Sequence, residues 1–331
     1  MDKYEFDEKY AGLEADYFPE ERRQRRKGKK RSRQEVIEEI RPDGEDVRYE
    51  VDIDETTFDP SYMRDKKEDY QERLWLIENL QEFYDEEYII DVTHHVKGGK
   101  EASVFCCVAH PTLETPYVAA KLYRPAIFRS LKNDAQYRAG RFAGRDEGVS
   151  AEMLLDARTS KAMRGRTKFG RELLIGTWIG HEYEMLQKLY DAGVNLPEPI
   201  GFKNHAILME YMGEGHIAAP PLHYIRLEKE EAQPFFNQIM NDVVTMLAHD
   251  CIHGDLSAYN ILYWEGEVKI IDFPQAVNPW YNPDALTILQ RDITRVCQYF
   301  ARYKVVDATG NRPDPVAITM DLWERYMANE L

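Results

Sequence analysis

Cysteine is scarce in this chain of 331 residues, and the four present, Cys106, Cys107, Cys251 and Cys297, form no C-x-x-C pair. That argues against a structural zinc site and reads as reduced thiols in a cytoplasmic protein. Long apolar runs are missing as well: no stretch of about 18 uncharged apolar residues suggests a membrane span. The opening residues MDKYEFDEKY do not follow a signal-peptide pattern. There is no internal repeat and no G-x-x-x-x-G-K-[ST] loop, so a Walker-type phosphate site is not expected. Positive charge is in deficit, with 43 Lys and Arg against 59 Asp and Glu and a net charge of -16. A uniformly basic nucleic-acid binder is therefore excluded, although RRQRRKGKKRSR at residues 22 to 33 stands out as a basic block among acids. It reads equally as a solvated segment or as a phosphate-binding arm.

What the chain does contain is enough apolar material for a core, 43% by composition, and a length that at about 150 residues per domain favours two lobes with an extra segment. Residues 1 to 64 are rich in charge and carry Pro19, Pro42 and Gly44, so they contribute little to packing. The following stretch, KKEDYQERLWLIENLQEFY, places Leu74, Ile77 and Leu80 at helical spacing and predicts an amphipathic helix. EYIIDVTHHV, EASVFCCVA and YVAAKLY then predict a three-strand antiparallel meander, with Gly98 and Gly99 at its first turn. Further helices are expected over TWIGHEYEMLQKLYDAG, EAQPFFNQIMNDVVTMLAHD and ILQRDITRVCQYFARY, and a hairpin over ILYWEGEVKIIDF with Glu265 and Gly266 in its turn.

The chemistry sits at intervals along this frame. Lys121 falls inside an apolar strand, where an unpaired ammonium is costly, so it needs an anion. Glu182, on the same helix face as Leu186 and Leu189, is one candidate; a bound phosphate is the other. Taken alone, a plain strand-to-helix salt bridge explains the lysine better. GGKEASVF is a weak phosphate-loop signal in which backbone amides near Gly99 and Lys100 face phosphates. The strand HAILMEYMG leads into a connector whose backbone near Glu210 could meet an adenine, with Met209 and Met212 as adaptable apolar contacts. In IHGDLSAYNIL, Asp255 and Asn260 stand five apart, which suits a phosphoryl-transfer loop, although Gly254 interrupts the more familiar H-R-D pattern. The later Asp272 returns toward Asn260, and the pair offers hard oxygen ligands for Mg²⁺ beside ATP phosphates. Asp255 would then accept or orient the substrate proton. The ordered set of loop, lysine, helix glutamate, D-x-x-x-x-N and aspartate is far more specific than any one member.

In GGKEASVF, AAKLY, TWIGHEYEML, LMEYMG, HGDLSAYNIL and IIDFPQAV, spread over roughly residues 90 to 300, the chain resembles the RIO family of atypical serine/threonine protein kinases. The resemblance implies an α+β, two-lobed protein-kinase-like fold with an antiparallel-sheet N-lobe and a reduced, mainly helical C-lobe. It divides the chain into a tail at 1–64, a helix and N-lobe at 65–208 with a basic insertion at 124–177, and a hinge and truncated C-lobe at 209–331. It implies ATP binding at Lys121 with Glu182 as its partner, a catalytic role for Asp255, and metal ligation by Asn260 and Asp272, with Mn²⁺ as an alternative to Mg²⁺. Val104 and Ile271 join Gly99, Lys100, Met209, Glu210 and Met212 in the nucleotide-binding set, and Asp272 becomes a candidate aspartyl-phosphate. A partner of ribonucleoprotein type, a pre-ribosomal particle or ribosomal RNA in small-subunit maturation, would meet the basic segments, with a mobile flap or an inert solvated insertion as the other readings of 124–177. Pro274 stands where D-F-G has its glycine, no A-P-E follows, and 59 residues remain, which favours an ATPase-like switch or restricted phosphorylation over broad peptide phosphorylation. Asp292 is expected to brace the catalytic loop. Two other readings stay open: H-G-D-x-x-x-x-N also resembles aminoglycoside and choline phosphotransferases, and a non-catalytic nucleotide-dependent assembly protein would bind without turnover.

Overall fold

The computed structural model describes residues 58–63, 70–99, 102–123, 168–307 and 309–331. The basic block at 22–33, nearly all of the 1–64 tail, Lys100 and the insertion as far as residue 167 lie outside them.

The first lobe is a five-stranded antiparallel sheet under one helix. Strands β1 (Ile89–Gly98), β2 (Ala102–Ala109) and β3 (Tyr117–Tyr123) form the expected meander, and β4 (Pro199–Lys203) and β5 (Ala206–Glu210) extend it in the order β1-β2-β3-β5-β4. Side chains alternate between sheet faces with period two. Phe105 and Cys107 of β2 and Val118, Ala120 and Leu122 of β3 therefore meet helix α1 (Tyr70–Asp85), while Ala119, Lys121 and Tyr123 point to the opposite face. The buried stripe of α1 is Leu76, Ile77, Leu80 and Phe83, whereas Leu74 is only partly covered. Two of the three expected positions, Ile77 and Leu80, thus lie in the stripe and Leu74 does not, Leu76, Leu80 and Phe83 following i, i+4, i+7.

Helix α2 (Lys168–Asp191) begins well before TWIGHEYEML, so the last residues of the segment assigned to an irregular insertion are helical. The second lobe is built on α3 (Lys229–Ala248) and α4 (Ala285–Phe300), with Phe235, Phe236, Ile239, Val243 and Met246 in one core with Ile288, Leu289, Ile293, Val296 and Phe300. Two short hairpins flank it: β6 (Gly213–Glu214) with β7 (Ile217–Ala218), and β8 (Ile261–Trp264) with β9 (Glu267–Ile270). A last helix, α5 (Pro315–Met327), was not expected from the sequence, yet it carries a local signal: Asp314 caps it by accepting the Val316 N–H at 2.9 Å, and Pro315 opens it. No described helix is long and apolar enough to cross a membrane.

One buried acid ties the lobes' frame to the site. Asp242 on α3 is 1% exposed, and its Oδ1 accepts the N–H of Asn195 at 3.1 Å and Nδ2 of Asn195 at 2.9 Å. Asn195 in turn accepts the Ile270 N–H at 2.8 Å, just ahead of Asp272. Burial pushes the Asp242 carboxyl up to about 6, against the two Asn195 bonds. A carboxyl raised by folding is favoured as the neutral acid, so its contribution is whole below the unfolded value near 4 and is lost as pH rises through about 6. Asp242→Asn keeps an oxygen for Asn195. Between about pH 4 and 6.5 the wild type should therefore lose roughly 2–3 kcal/mol relative to the variant, whatever dependence the other acids give both proteins. Urea midpoints over that range are the measurement; parallel curves for the two proteins would contradict it.

Candidate active site

Lys121 projects from β3 on the face away from α1, and its ammonium lies 3.0 Å from Glu182 Oε1 on α2 and 3.1 Å from Asp272 Oδ1. Strand, helix and second lobe therefore converge on one cation. The lysine and Glu182 side chains are 12% and 4% exposed, whereas Asp272 is 49% exposed. Burial by itself would drive the ammonium down, but Glu182, Tyr123 and Asp272 override it and hold Lys121 well above the ordinary lysine value. Burial likewise works to raise Asp272, and the charge and hydrogen bond of Lys121, with His253 and Lys97, keep it below the usual carboxylate value. Asp272 has φ +71, the left-handed region that a residue with a Cβ seldom enters. Such local strain persists where the surroundings over-determine the backbone.

The loop from His253 to Asn260 is held from three sides. Asp292 on α4 accepts the Gly254 N–H at 2.8 Å and the Leu256 N–H at 3.2 Å, as expected, and Arg291 donates to the Gly254 carbonyl. Burial pushes Asp292 up to about 7, against the Gly254 N–H and the arginines Arg291 and Arg295. His253 accepts the Asp255 N–H on Nδ1 at 3.2 Å and so carries its proton on Nε2, which reaches the Ile271 carbonyl at 3.1 Å. That tautomer is neutral, in keeping with a ring lowered by burial. The Ile271 N–H closes the link from the other side, donating to the Asn260 carbonyl at 2.9 Å. Both backbone polar groups of Ile271 are thereby used to clamp the Asp255–Asn260 loop against the strand end that carries Asp272.

Within that loop, Asn260 is 8% exposed and its Nδ2 donates to the Asp255 carbonyl at 3.0 Å and to Asp255 Oδ2 at 3.2 Å. Its amide oxygen is then the end that can serve a cation. Asp255 Oδ1 takes a second partner that sequence reasoning missed, Arg295 Nη1 at 2.6 Å. Gly254 explains the departure from H-R-D: its φ is +82, and a Cβ there would overlap the Gln275 carbonyl.

On the same face of the sheet, Val104, Met209, Val96 and Ala218 pack around Cys106, Ala119 and Tyr211. Ala119 pairs with Met209 in register and lies two residues before Lys121, so strand alternation from the lysine could have identified it. Met212 is buried at 7% exposure and its carbonyl accepts the Ala219 N–H at 2.8 Å. The carboxylate of Glu210 is committed elsewhere, binding Lys269 of β9 at 2.5 and 2.6 Å and accepting the Glu198 N–H at 3.1 Å. Its side chain thus serves the inter-lobe tie, while the sequence reading concerned the connector backbone near Glu210. The Gly99 N–H is committed as well: it donates to the Ala102 carbonyl at 2.9 Å and closes the β1–β2 hairpin, so it is not a free phosphate donor. Lys100 lies outside the described residues. Among the described residues, no cluster of three or more His, Cys, Asp or Glu side chains forms a metal cage. A cation shared with phosphate oxygens needs fewer protein ligands than such a cage.

The RIO domain family model matches residues 126–312, more than half of the chain and all of the loop, Asp272 and α4, but not Lys121 or Val104. The chain is 28% identical to the human serine/threonine-protein kinase RIO1 over 222 residues, 67% of this chain and 35% of that one. It is 32% identical to the human serine/threonine-protein kinase RIO3 over 148 residues, 44% of this chain and 28% of the relative. The RIO-type serine/threonine-protein kinase Rio2 of Methanocaldococcus jannaschii is 42% identical over 129 residues, 38% and 45% of the two chains. The chain spans less than half the length of each of these relatives.

The glycine in the loop is open to a direct test. Gly254→Ala adds a clash to an unfavourable φ and should lower stability by about 2–4 kcal/mol. Gly266→Ala, at φ +86 with nothing within 4 Å of the new Cβ, meets the conformational term alone, about 1 kcal/mol. Denaturant midpoints compare them; equal shifts would mean that the Gln275 approach imposes nothing.

Proposed function

The chain belongs to the RIO family of protein kinases, and on that premise we propose that it transfers the terminal phosphoryl group of ATP as an atypical serine/threonine kinase or ATPase. The observation that carries the proposal is the buried ammonium of Lys121 bonded at once to Glu182 and Asp272, beside a loop that holds Asp255 and Asn260. Lys121 would hold nucleotide phosphates, with Glu182 keeping it in place. The apolar patch of Val104, Ala119 and Met209, with Met212, Ile271 and the connector backbone, suits the base. Magnesium, when bound, neutralises phosphate charge, and the Asn260 amide oxygen and the half-exposed, ionised Asp272 are hard donors of the kind it selects. Asp255 orients or accepts the proton of the acceptor hydroxyl, and Asp272 is the residue that would carry a phosphoryl group as an acyl phosphate.

A restricted acceptor range or an ATPase cycle fits best. Val277 exchanges hydrogen bonds with Ile252, 2.9 Å in each direction, so the chain after Asp272 turns straight back, and α4 starts at Ala285. Little length is left there for a peptide-docking activation segment. A role in small-ribosomal-subunit maturation, with a pre-ribosomal particle as partner in the cytoplasm, belongs to the same proposal and rests on the family resemblance and the basic segments of the sequence. Transfer to aminoglycosides or choline is the competing outcome, read in the same labelled-ATP assay.

Asp255→Ala should reduce turnover by about 10²- to 10⁴-fold with nucleotide affinity little changed. Wild-type turnover in the folded variant would remove Asp255 from that role. Asp272→Asn takes away a charged oxygen and should weaken magnesium-dependent nucleotide binding by about tenfold or more. Titration of a fluorescent nucleotide at several magnesium concentrations checks this, and an unchanged magnesium dependence would point to another ligand.

A further inference from the structure

Helix α4 places Arg291, Asp292 and Arg295 against the loop that carries Asp255, and the three contacts differ in kind. Arg291 and Asp292 bind the backbone of the loop, at Gly254 and Leu256, and so set its position. Arg295 instead binds the carboxylate of Asp255 at 2.6 Å, in a pair whose side chains are 38% and 49% exposed. An ion pair so open to water adds little to stability, and the loop is already braced by Asp292, Arg291, Asn260 and His253. The guanidinium on Asp255 is therefore not needed to hold the loop. Its presence is accounted for if the acceptor brings a negative group of its own. A guanidinium carries five N–H donors in a planar fork suited to a carboxylate or phosphate, and Asp255 Oδ1 engages one nitrogen of it.

The positive edge continues along the same side. Arg302, seven residues beyond Arg295, is exposed and lies over Tyr299 at 4.3 Å and Tyr303 at 5.1 Å. Its charge reaches His223, which it helps burial to lower, and His223 stacks at 3.9 Å on Tyr259, the neighbour of Asn260. In a chain of net charge -16 this arginine edge is a local reversal. We propose that Arg295, extended by Arg302, recognises a carboxylate or phosphate next to the hydroxyl being phosphorylated, so that the preferred acceptor is an acidic polypeptide segment. The inference rests on the kinase reading above. Two or three arginines on a strongly acidic chain suit a short acidic segment better than a nucleic-acid backbone, whose binding draws on many cations.

The test uses the full chain, labelled ATP and three synthetic serine peptides that differ only in acidic, neutral or basic flanks. The wild type should favour the acidic peptide in kcat/KM, and Arg295→Ala should cut the acidic-to-basic ratio by about tenfold, chiefly through KM. Arg295→Lys should restore part of it, and Arg302→Ala, away from the bonds of the loop, should lower the ratio by about two- to threefold. A merely structural role would lower all three peptides by one factor and leave the ratio unmoved, which overturns the proposal. So does a wild type without charge preference, a wild type that consumes ATP but labels no peptide, or inhibition by poly(U) that depends on Arg295 while peptide charge has no effect. A wild type that consumes no ATP under any condition overturns the kinase reading itself, and is told apart because it fails before any peptide is added.

Discussion

A lysine ammonium buried in an apolar strand must find negative charge, and the architecture around Lys121 follows from that requirement. Desolvating an unpaired cation costs several kcal/mol, and in the folded chain Glu182 of α2 meets the ammonium that β3 buries. With Glu182 almost fully buried and Asp272 half exposed, the two partners are unequal. The inner carboxylate is a fixed counter-ion, while the outer one sits where solvent, a cation or a phosphate can compete for it. The same ammonium thus links a buried carboxylate of the first lobe to an exposed one of the second.

The second lobe shows how a carboxylate is held still without being buried. Asp255 is about half exposed, and most of the groups that fix it act on the backbone around it rather than on its oxygens. Asp292 is buried, and burial raises its carboxyl to about 7, so near neutral pH it accepts amide hydrogens while bringing only part of a full charge into the core. His253 is lowered by burial and bridges the loop to Ile271, so a neutral ring and a single backbone residue join the two acidic positions. The connection between the lobes is of the same type: the carboxylate of Glu210, at the end of β5, is clamped by Lys269 of β9.

Much of this was legible in the chain because it depends on local pattern. Period-two alternation in YVAAKLY is enough to place Lys121 opposite Val118, Ala120 and Leu122, and the turn at Glu265 and Gly266 falls where the hairpin bends. The order of lysine, helix glutamate, D-x-x-x-x-N and aspartate led to the expectation that these residues share a site, and the structure brings Lys121, Glu182 and Asp272 together beside the loop of Asp255 and Asn260. Where local reading failed it did so for local reasons. The stripe of α1 was counted from Leu74 instead of Leu76, and the Asp314-Pro315 start of α5 was passed over although both residues favour a helix N-terminus.

The sequence by itself determined the elements, the face of β3 that bears Lys121 and the identity of the polar residues, because strand and helix periodicity are properties of neighbouring residues. Only the tertiary structure decided which partners those residues meet. Arg295 reaches Asp255 across 40 positions, and Glu210 reaches Lys269 across 59. Gly254 looked like a blemish in a familiar motif until the carbonyl of Gln275 came to lie against it. Such contacts are set by how two lobes pack and how a loop is folded back on itself. No spacing along the chain encodes them, since the same residues at the same intervals could face solvent in another packing.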